Sequence, residues 1–347
     1  MSEAVAEGGG AAGVDEARPT RRGFLPAGID RRVFEAMWLL AFVSTLGYAG
    51  RWHWTLDLLA HPRRFLFVCA AVGLAWLAIR RRWWFGSAAL AALVLNGAPM
   101  ASLYLGGHAP AVDGATPLRL VVFNVLTDNP RKGDVLAYLA DGEADLIGLL
   151  ETDDRWVAAL RELEGYRLVT AQARSDNFGL VLLERDRPRP GVSSAMARVV
   201  YANNTPWALP MIEAELTLDD RPVTVLLTHP IPPIGWARAT DNREQLAWCA
   251  EWAEGRAERG VGAVVAGDFN ATPFGSAFAP FSRAGLVNSQ RGYGWSATWP
   301  GELTPLGLGI PIDHVVHSAD LATVDRDVGP KLGSDHHAVV VDLAWAR

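Results

Sequence analysis

The chain has 347 residues and a formal net charge of −6, so it is long enough for two structural units. Residues 111–347 are more acidic than the whole, with 31 acidic against 21 basic side chains. Because duplex DNA is usually held by clustered Lys and Arg, this charge argues against tight non-specific binding of nucleic acid. Cys69 lies in an apolar segment and Cys249 on a predicted helix, so no disulfide is expected.

The first third of the chain combines a polar tail with three apolar segments. Residues 1–32, rich in Gly, Ala, Glu and Arg, are predicted to form a disordered tail. Apolar runs follow at 33–50, 65–79 and 85–105, and each is near the roughly 17–25 residues needed to cross a bilayer. Tryptophan and tyrosine residues sit at the ends of these runs, as interfacial aromatics do. We predict a three-helix membrane anchor over 33–105; the alternative is buried core helices of a soluble protein.

Arginines beside the apolar runs predict the orientation of this anchor. Five arginines precede the first run and three, Arg80 to Arg82, follow the second, whereas the first connector carries Arg51, Arg63 and Arg64. The positive-inside rule then places the N-terminus and the second connector in the cytoplasm. Three spans put the rest of the chain on the extracytoplasmic side, which we expect to be that of a bacterial inner or cell membrane.

Residues 106–117 are predicted to be a polar linker, and residues 118–347 read as an α/β domain. Predicted strands cover 118–124, 146–150, 179–184, 211–218, 223–228, 261–266, 312–316 and 338–343, and predicted helices cover 133–141, 154–164 and 241–259. Polar residues recur at the strand ends: Asn124, Glu151, His229, Asp268, Asn270, Asp313, Asp335 and His336. Any one of them is commonly a turn former or helix cap, but so many oxygen and imidazole groups at strand ends favour one active site.

Six motifs carry a resemblance to a known family, in this order: Phe123-Asn124-Val125, Leu150-Glu151-Thr152, Thr228-His229, Gly267-Asp268-Phe269-Asn270, Ile312-Asp313-His314-Val315 and Ser334-Asp335-His336. Together they resemble the endonuclease/exonuclease/phosphatase superfamily, which includes deoxyribonucleases, apurinic-site endonucleases, inositol-polyphosphate 5-phosphatases and neutral sphingomyelinases. The resemblance implies that residues 118–347 form a catalytic domain with the family fold, a four-layer α/β sandwich with two central mixed sheets.

The same resemblance implies a Mg²⁺-dependent phosphoesterase, with Mn²⁺ as a possible substitute. Glu151 is the expected principal metal ligand, with Asn124 and Asp335 beside the metal. Asn124 and Asn270 are expected to contact a phosphate oxygen. For Asn177, contact with substrate and a simple turn are about equally compatible with the sequence.

The remaining polar groups are expected to be catalytic. Asp268 would orient or deprotonate the attacking water, with Asn270 also in this set. His336, paired with Asp313, would stabilise or protonate the phosphorane. His229 resembles a histidine that contacts phosphate and can act as general acid to the leaving oxygen.

The chain departs from the family pattern two residues after Asn124. Some members carry an acid there, but this chain has Leu126, with Asp128 further on, so a second metal-binding acid is not assured. The segment 230–236 next to His229 is rich in proline. A plain surface loop is the favoured interpretation; the alternative is a wall of the pocket, with Trp236 contacting a lipid or a base.

These features predict a membrane-anchored phosphoesterase that hydrolyses a phosphodiester of nucleic acid, phospholipid or a small-molecule head group by in-line attack of water. Its partners are the substrate and the membrane; nucleic acid enters as a substrate only, and no obligate protein partner is expected. The alternative is a catalytically inactive extracytoplasmic binding or scaffold protein on the same fold, although every expected metal and histidine residue is present. The three predicted spans lack buried charges of the kind that mark ion or substrate pathways, so they are expected to be an anchor rather than a transport pathway.

Overall fold

The computed structural model describes residues 27–347. The first unit is helical and contains α1 (Ala27–Leu46), α2 (Trp54–Leu58), α3 (Arg63–Ile79) and α4 (Gly86–Leu105). Small residues, Ala41, Ala70 and Ala92, lie where α1, α3 and α4 pack together. The predicted disordered tail included residues 27–32. In the structure these residues are helical, because α1 begins at Ala27. The rest of that tail lies outside the described residues.

The three long helices coincide with the three predicted apolar runs. Of the helices in residues 27–347, α4 alone is long and apolar enough to cross a membrane by length and composition. α3 has 17 residues, and α1 carries Asp30, Arg31, Arg32 and Glu35 in its N-terminal half. A membrane-spanning role for all three helices therefore stays a prediction.

Residues 118–347 form two mixed sheets flanked by helices, and this α/β class confirms the prediction. The strands are β1 (Leu118–Asn124), β2 (Leu146–Leu150), β3 (Tyr166–Gln172), β4 (Leu180–Arg185), β5 (Met196–Tyr201), β6 (Pro210–Leu218), β7 (Arg221–Thr228), β8 (Gly262–Asp268), β9 (Val287–Asn288), β10 (Asp313–His317), β11 (Leu321–Val328) and β12 (Val339–Trp345). The helices are α5 (Lys132–Asp141), α6 (Asp154–Leu160), α7 (Trp236–Ala257) and α8 (Ala279–Arg283).

Strand order explains why the polar strand ends meet. One sheet has the order β11-β12-β1-β2-β4-β3 and the other β5-β6-β7-β8-β10-β9. β1 runs parallel to β2, and β7 runs parallel to β8. Because parallel strands end at the same edge, the residues that follow these four strands gather at one edge of each sheet.

Apolar side chains fill the space between the sheets and the outer layers. Leu120, Val122, Val225 and Val264 belong to the buried cluster between the two inner faces. Trp156 of α6 packs with the outer face of the first sheet, while residues of α7 and α8 cover the second. β2 is buried along its whole length, which explains its continuous rather than alternating apolar sequence. The active-site edge is thus supported by rigid, packed strands.

The observed elements correct several predicted boundaries. β3, β5, β9 and β11 were not predicted. α7 begins at Trp236, five residues before the predicted start, and α6 ends at Leu160, four residues before the predicted end. β8 continues through Asp268, so this residue lies in the strand rather than after it.

The connector between α1 and α3, residues 47–62, joins the helical unit to the sandwich. Asp57 Oδ1 accepts a hydrogen bond of 2.7 Å from the backbone N–H of Ser276. The Nδ1 atom of His61 lies 2.9 Å from Thr272 Oγ1. The end of α4 also contacts the sandwich, since the N–H of Gly294 donates to the carbonyl of Leu103 at 2.7 Å. The other connector, after α3, lies about 25 Å further along that 17-residue helix.

Candidate active site

Asn124 links the two sheets at the edge where β1 and β2 end. Its Nδ2 donates to Glu151 Oε1 at 2.9 Å and to Asp268 Oδ2 at 3.2 Å. Its backbone carbonyl accepts a 2.7 Å hydrogen bond from Ser334 Oγ. The side chain is fully buried, so the amide holds both carboxylates in fixed positions.

Glu151 presents a carboxylate oxygen that the protein leaves unpaired. The residue has a φ of 59°, a left-handed conformation that is uncommon outside glycine and found at functional sites. Within residues 27–347 its buried Oε2 has no hydrogen-bond partner. Burial raises the pKa of Glu151. Since an unpaired buried charge is costly, a divalent cation beside Oε2 would stabilise this carboxylate.

The backbone around Asp268 depends on a close approach between β7 and β8. Gly267 has a φ of 148°, and a Cβ atom there would lie 1.8 Å from the carbonyl oxygen of Thr228. Asn270, also left-handed with a φ of 51°, donates from Nδ2 to the carbonyl of Pro230 at 3.0 Å. This geometry fixes the turn that carries Asp268, and a side chain at position 267 would displace it.

Asp268 lies at the centre of the polar cluster and is ionised. Its Oδ2 lies 3.4 Å from His229 Nε2 and 3.6 Å from His336 Nε2, and its Oδ1 accepts the N–H of Asn270 at 2.8 Å. Burial opposes the charge, but the two histidines and the Asn270 N–H together lower the pKa of Asp268 to about 2. A carboxylate with this pKa is better suited to orienting a water molecule than to holding its proton.

His336 is held as a cation by two carboxylates. Its Nδ1 donates to Asp313 Oδ2 at 2.8 Å, and β10 places Asp313 opposite Asp268 in the antiparallel register with β8. Thr298 Oγ1 fixes this end of β10 by accepting the N–H of Asp313 at 3.2 Å. Burial would lower the pKa of His336, but the charges of Asp313 and Asp268 raise it to about 10. The imidazolium can therefore stabilise negative charge that develops on a substrate oxygen.

His229 is the second buried imidazole beside Asp268. Burial alone would lower its pKa, but the hydrogen bond and charge of Asp268 outweigh burial and raise it. The ring packs against Phe178, with 5.2 Å between ring centroids. Its Nδ1 is buried without a hydrogen-bond partner in the described part of the chain. The raised pKa favours the protonated form of this ring, whose Nε2 lies 3.4 Å from the Asp268 carboxylate.

These groups open into one cavity of about 560 Å³. Its polar lining comprises His61, Glu151, Asp176, Asn177, His229, Arg238, Asp268, Asn270, Asp335 and His336. Asn124 and Asp313 lie behind this lining and are fully buried. Asp335 is half-buried, and its Oδ2 accepts a 3.0 Å hydrogen bond from Trp299 Nε1. The structure thus brings together all nine residues predicted for the site.

Two sets of side chains at this site offer metal ligands. Glu151, Asn124 and Asp335 are the predicted set, and the unpaired Oε2 of Glu151 fits it. Asp268, Asp313 and His336 form another, with ligand atoms within 4.8 Å of one another. In that second set the Nδ1 of His336 is already bonded to Asp313, which accounts for the short distance without a metal.

Several expectations about neighbouring residues change with the structure. Asp128 is exposed and accepts a 2.7 Å hydrogen bond from Arg155, and it does not line the cavity. Asn177 does line it, in a left-handed turn with a φ of 68°. The interpretation of 230–236 as a plain surface loop is wrong, because Ile231 to Ile234 form part of the wall.

Further lining residues that were not predicted from the sequence include Leu58, His61, Trp207 and Arg238. His61 is in contact with Thr272, which is 211 positions away in the chain. A local sequence pattern carries no information about a contact at such a separation. For Arg238, the available signal was its position two residues after the proline-rich segment 230–236.

Fold and site together define a hydrolase that acts on phosphate esters. The sequence model of the Endonuclease/Exonuclease/phosphatase family matches residues 121–336, more than half of the chain. The chain belongs to this family, which confirms the recognition made from the six motifs.

Solved structures of the family share the fold at low sequence identity. A family protein from Bacteroides vulgatus is 18% identical with a TM-score of 0.53, covering 66% of this chain and 99% of its own. The 3′ phosphatase NExo from Neisseria, bound to a product DNA hairpin, is 20% identical with a TM-score of 0.53, covering 66% and 100%. Truncated TDP2 from Caenorhabditis elegans is 17% identical with a TM-score of 0.52, covering 66% and 97%. No curated protein sequence matches the chain.

Proposed function

We propose that the protein is a membrane-anchored, Mg²⁺-dependent phosphoesterase that cleaves a phosphodiester on the extracytoplasmic side of the membrane. The observation that carries this proposal is the convergence of three groups in one cavity. These are the ionised Asp268, the cationic His336 and the unpaired Oε2 of Glu151.

Each side chain has a task that its environment favours. Asp268 accepts a hydrogen bond from water and aims it at phosphorus, and its proximity to His336 keeps it ionised. His336 and His229 donate to phosphoryl oxygens as negative charge develops, and His229 protonates the leaving oxygen. A Mg²⁺ ion held by Glu151, Asn124 and Asp335 would supply further neutralisation of that charge.

Charge supports a small or lipid-linked phosphodiester over duplex nucleic acid. The structural relatives NExo and TDP2 share only the fold at 17–20% identity, so their substrates do not decide the matter. Residues 111–347 carry 31 acidic and 21 basic side chains, and this excess of acid would repel a polyphosphate backbone.

Two observations support an anchor of three spans. Apolar side chains point outward from the long helices, including Phe42, Phe65, Val72 and Leu90, each at least half exposed. The connector 47–62 contacts the catalytic domain, which requires that both lie on the same side of the membrane. Three spans place them so in either orientation, and the proposed orientation itself rests on the arginines.

The test is hydrolysis by the full chain purified in detergent, with Mg²⁺ and with chelator. The panel comprises 4-nitrophenyl phosphate monoesters and diesters, inositol phosphates, phospholipid vesicles, RNA, and plasmid and single-stranded DNA. We expect Asp268→Ala to lower turnover of the best substrate by about 10²–10⁴, and Asp128→Ala, an exposed acid outside the cavity, to retain the wild-type rate.

Two results would overturn the proposal. Equal turnover in Asp268→Ala and wild type would remove Asp268 from the mechanism. No turnover of any compound, together with no Mg²⁺ binding by the folded protein, would instead favour the inactive binding or scaffold protein.

A further inference from the structure

The active-site cavity has apolar as well as polar lining. Besides the carboxylates and imidazoles, its wall contains Leu58, Phe178, Trp207, Ile231 and Ile234. When the polar groups bind the phosphate of an ester, the rest of the ester must lie against another part of the cavity. The apolar wall lines the same cavity as these polar groups. Apolar walls favour an apolar group, since contact removes both surfaces from water.

Part of this wall comes from the helical unit rather than from the catalytic sandwich. Leu58 ends α2, and His61 lies two residues before α3. The connector that carries them is fixed by the contact of His61 with Thr272 and by that of Asp57 with Ser276. The helical unit therefore shapes the site and does more than tether it.

The apolar wall continues to the outside next to the anchor. Ile234 is 67% exposed and Leu58 is 39% exposed. Trp236, 57% exposed, packs against His53 of the connector with 5.5 Å between ring centroids. Because α3 begins directly after this connector, the apolar rim lies where α3 would emerge from a bilayer. An apolar group leaving the bilayer would meet this rim first.

We infer that Leu58, on the connector that the contact of His61 with Thr272 holds in place, completes an apolar subsite, and that this subsite binds the hydrocarbon part of an amphiphilic phosphate ester drawn from the membrane. The inference rests on the proposed phosphoesterase function and names its substrate class. Arg238, which also lines the cavity, adds a positive charge that suits an anionic head group.

The experiment compares kcat/KM of the full chain in detergent for methyl, butyl and octyl 4-nitrophenyl phosphate, below their aggregation concentrations. Water adds to phosphorus, the bond to 4-nitrophenolate breaks, and the alkyl phosphate is the other product. Since each buried methylene contributes about fourfold, burial of three gives an octyl-to-methyl ratio of about sixtyfold. We expect Leu58→Asp to lower this ratio by about tenfold or more.

Val324→Asp is the matched control, because Val324 is 49% exposed on β11 and does not line the cavity; it should keep the wild-type ratio. If Leu58→Asp does not fold, as judged by thermal unfolding, the exposed Ile234→Ser replaces it with the same expectation. Protection against unfolding by octylphosphonate but not methylphosphonate provides a readout that needs no turnover.

The outcomes separate the inference from the function on which it rests. Mg²⁺-dependent hydrolysis with a ratio near one in the wild type overturns the subsite and leaves the phosphoesterase intact. Faster cleavage of thymidine 5′-(4-nitrophenyl phosphate) than of the octyl ester assigns the wall to a nucleoside and also overturns the inference. No hydrolysis of any of the three esters beyond that of Asp268→Ala contradicts the proposed function itself.

Discussion

The helical unit and the catalytic sandwich use apolar residues in opposite ways. In the sandwich, large side chains such as Trp156, Phe123 and Phe269 are fully buried. In the helical unit, Trp38, Phe42 and Val72 are more than half exposed, and small residues such as Ala41, Ala70 and Ala92 form part of the contact between the helices. The hydrophobic effect in water can stabilise the packing of the sandwich. The exposed apolar surface of the helical unit is instead suited to apolar surroundings.

This difference separates the unit proposed as an anchor from the unit that carries the candidate active site. The sandwich uses its packed strands to fix charged groups at one edge, and the helices carry few buried charges. The two regions meet at the connector, where Asp57 and His61 bond to the sandwich beside the cavity. The following predictions test this division.

The largest expected effect is loss of a buried aromatic in the sandwich. Trp156 is fully buried, and its Nε1 donates to two backbone carbonyls, those of Leu126 and Thr127. Trp156→Ala should lower the free energy of unfolding of the catalytic domain by about 3–5 kcal/mol. The control is Val72→Ala, at a side chain that is 65% exposed. Its free energy of unfolding should stay within about 0.5 kcal/mol of the wild-type value. Urea unfolding followed by circular dichroism measures both; similar losses would contradict the comparison.

A second effect concerns the pH dependence of the site. The pKa of His336 is raised to about 10 against the opposing effect of burial, chiefly by Asp313, so the cationic form persists through neutral pH and is lost near pH 10. Asp313→Asn removes one negative charge, which lowers the pKa and moves the alkaline fall of kcat/KM to lower pH. We expect a shift of about one to three units. A pH–rate profile with an unmoved alkaline limb would contradict the role of this pair.

The smallest effect is expected at the junction of the two regions. Asp57→Ala removes the hydrogen bond to the N–H of Ser276, which should cost about 1 kcal/mol of connector docking. Trypsin cleavage at Arg51, Arg63 or Arg64 in full-length protein should then be about fivefold faster. The control variant Asp128→Ala should be cleaved by trypsin at the same rate as the wild type. Equal cleavage of Asp57→Ala and wild type would show that this contact does not hold the connector.

Strands with strong local signals could be predicted from the sequence, and those without could not. β2 and β8 are continuous apolar runs, buried throughout. β5 lies at a sheet edge and is buried at none of its positions, and β11 mixes apolar residues with Asp325, Arg326 and Asp327. Such strands lack a clear alternation of apolar and polar residues. Their strand conformation depends on pairing with neighbouring strands, which the local sequence does not show.

The polar half of the site was accessible from sequence for the same reason. Asn124, Glu151 and Asp268 each lie at the end of a predictable strand, in recognisable motifs. Leu58 and His61 reach the cavity only through a contact between regions far apart in the chain. Local pattern carries no information about that contact, so this wall required the structure.

The central claim is that Glu151 holds a divalent cation for phosphoester hydrolysis, and a Mg²⁺ titration of the hydrolysis rate tests it most directly. The unpaired Oε2 of Glu151 predicts that Glu151→Gln raises the half-saturating Mg²⁺ concentration by at least roughly tenfold. Thermal unfolding of the variant in chelator should match or exceed that of the wild type, because an uncompensated buried charge is removed. Superimposable Mg²⁺ titrations of the two proteins would contradict the account.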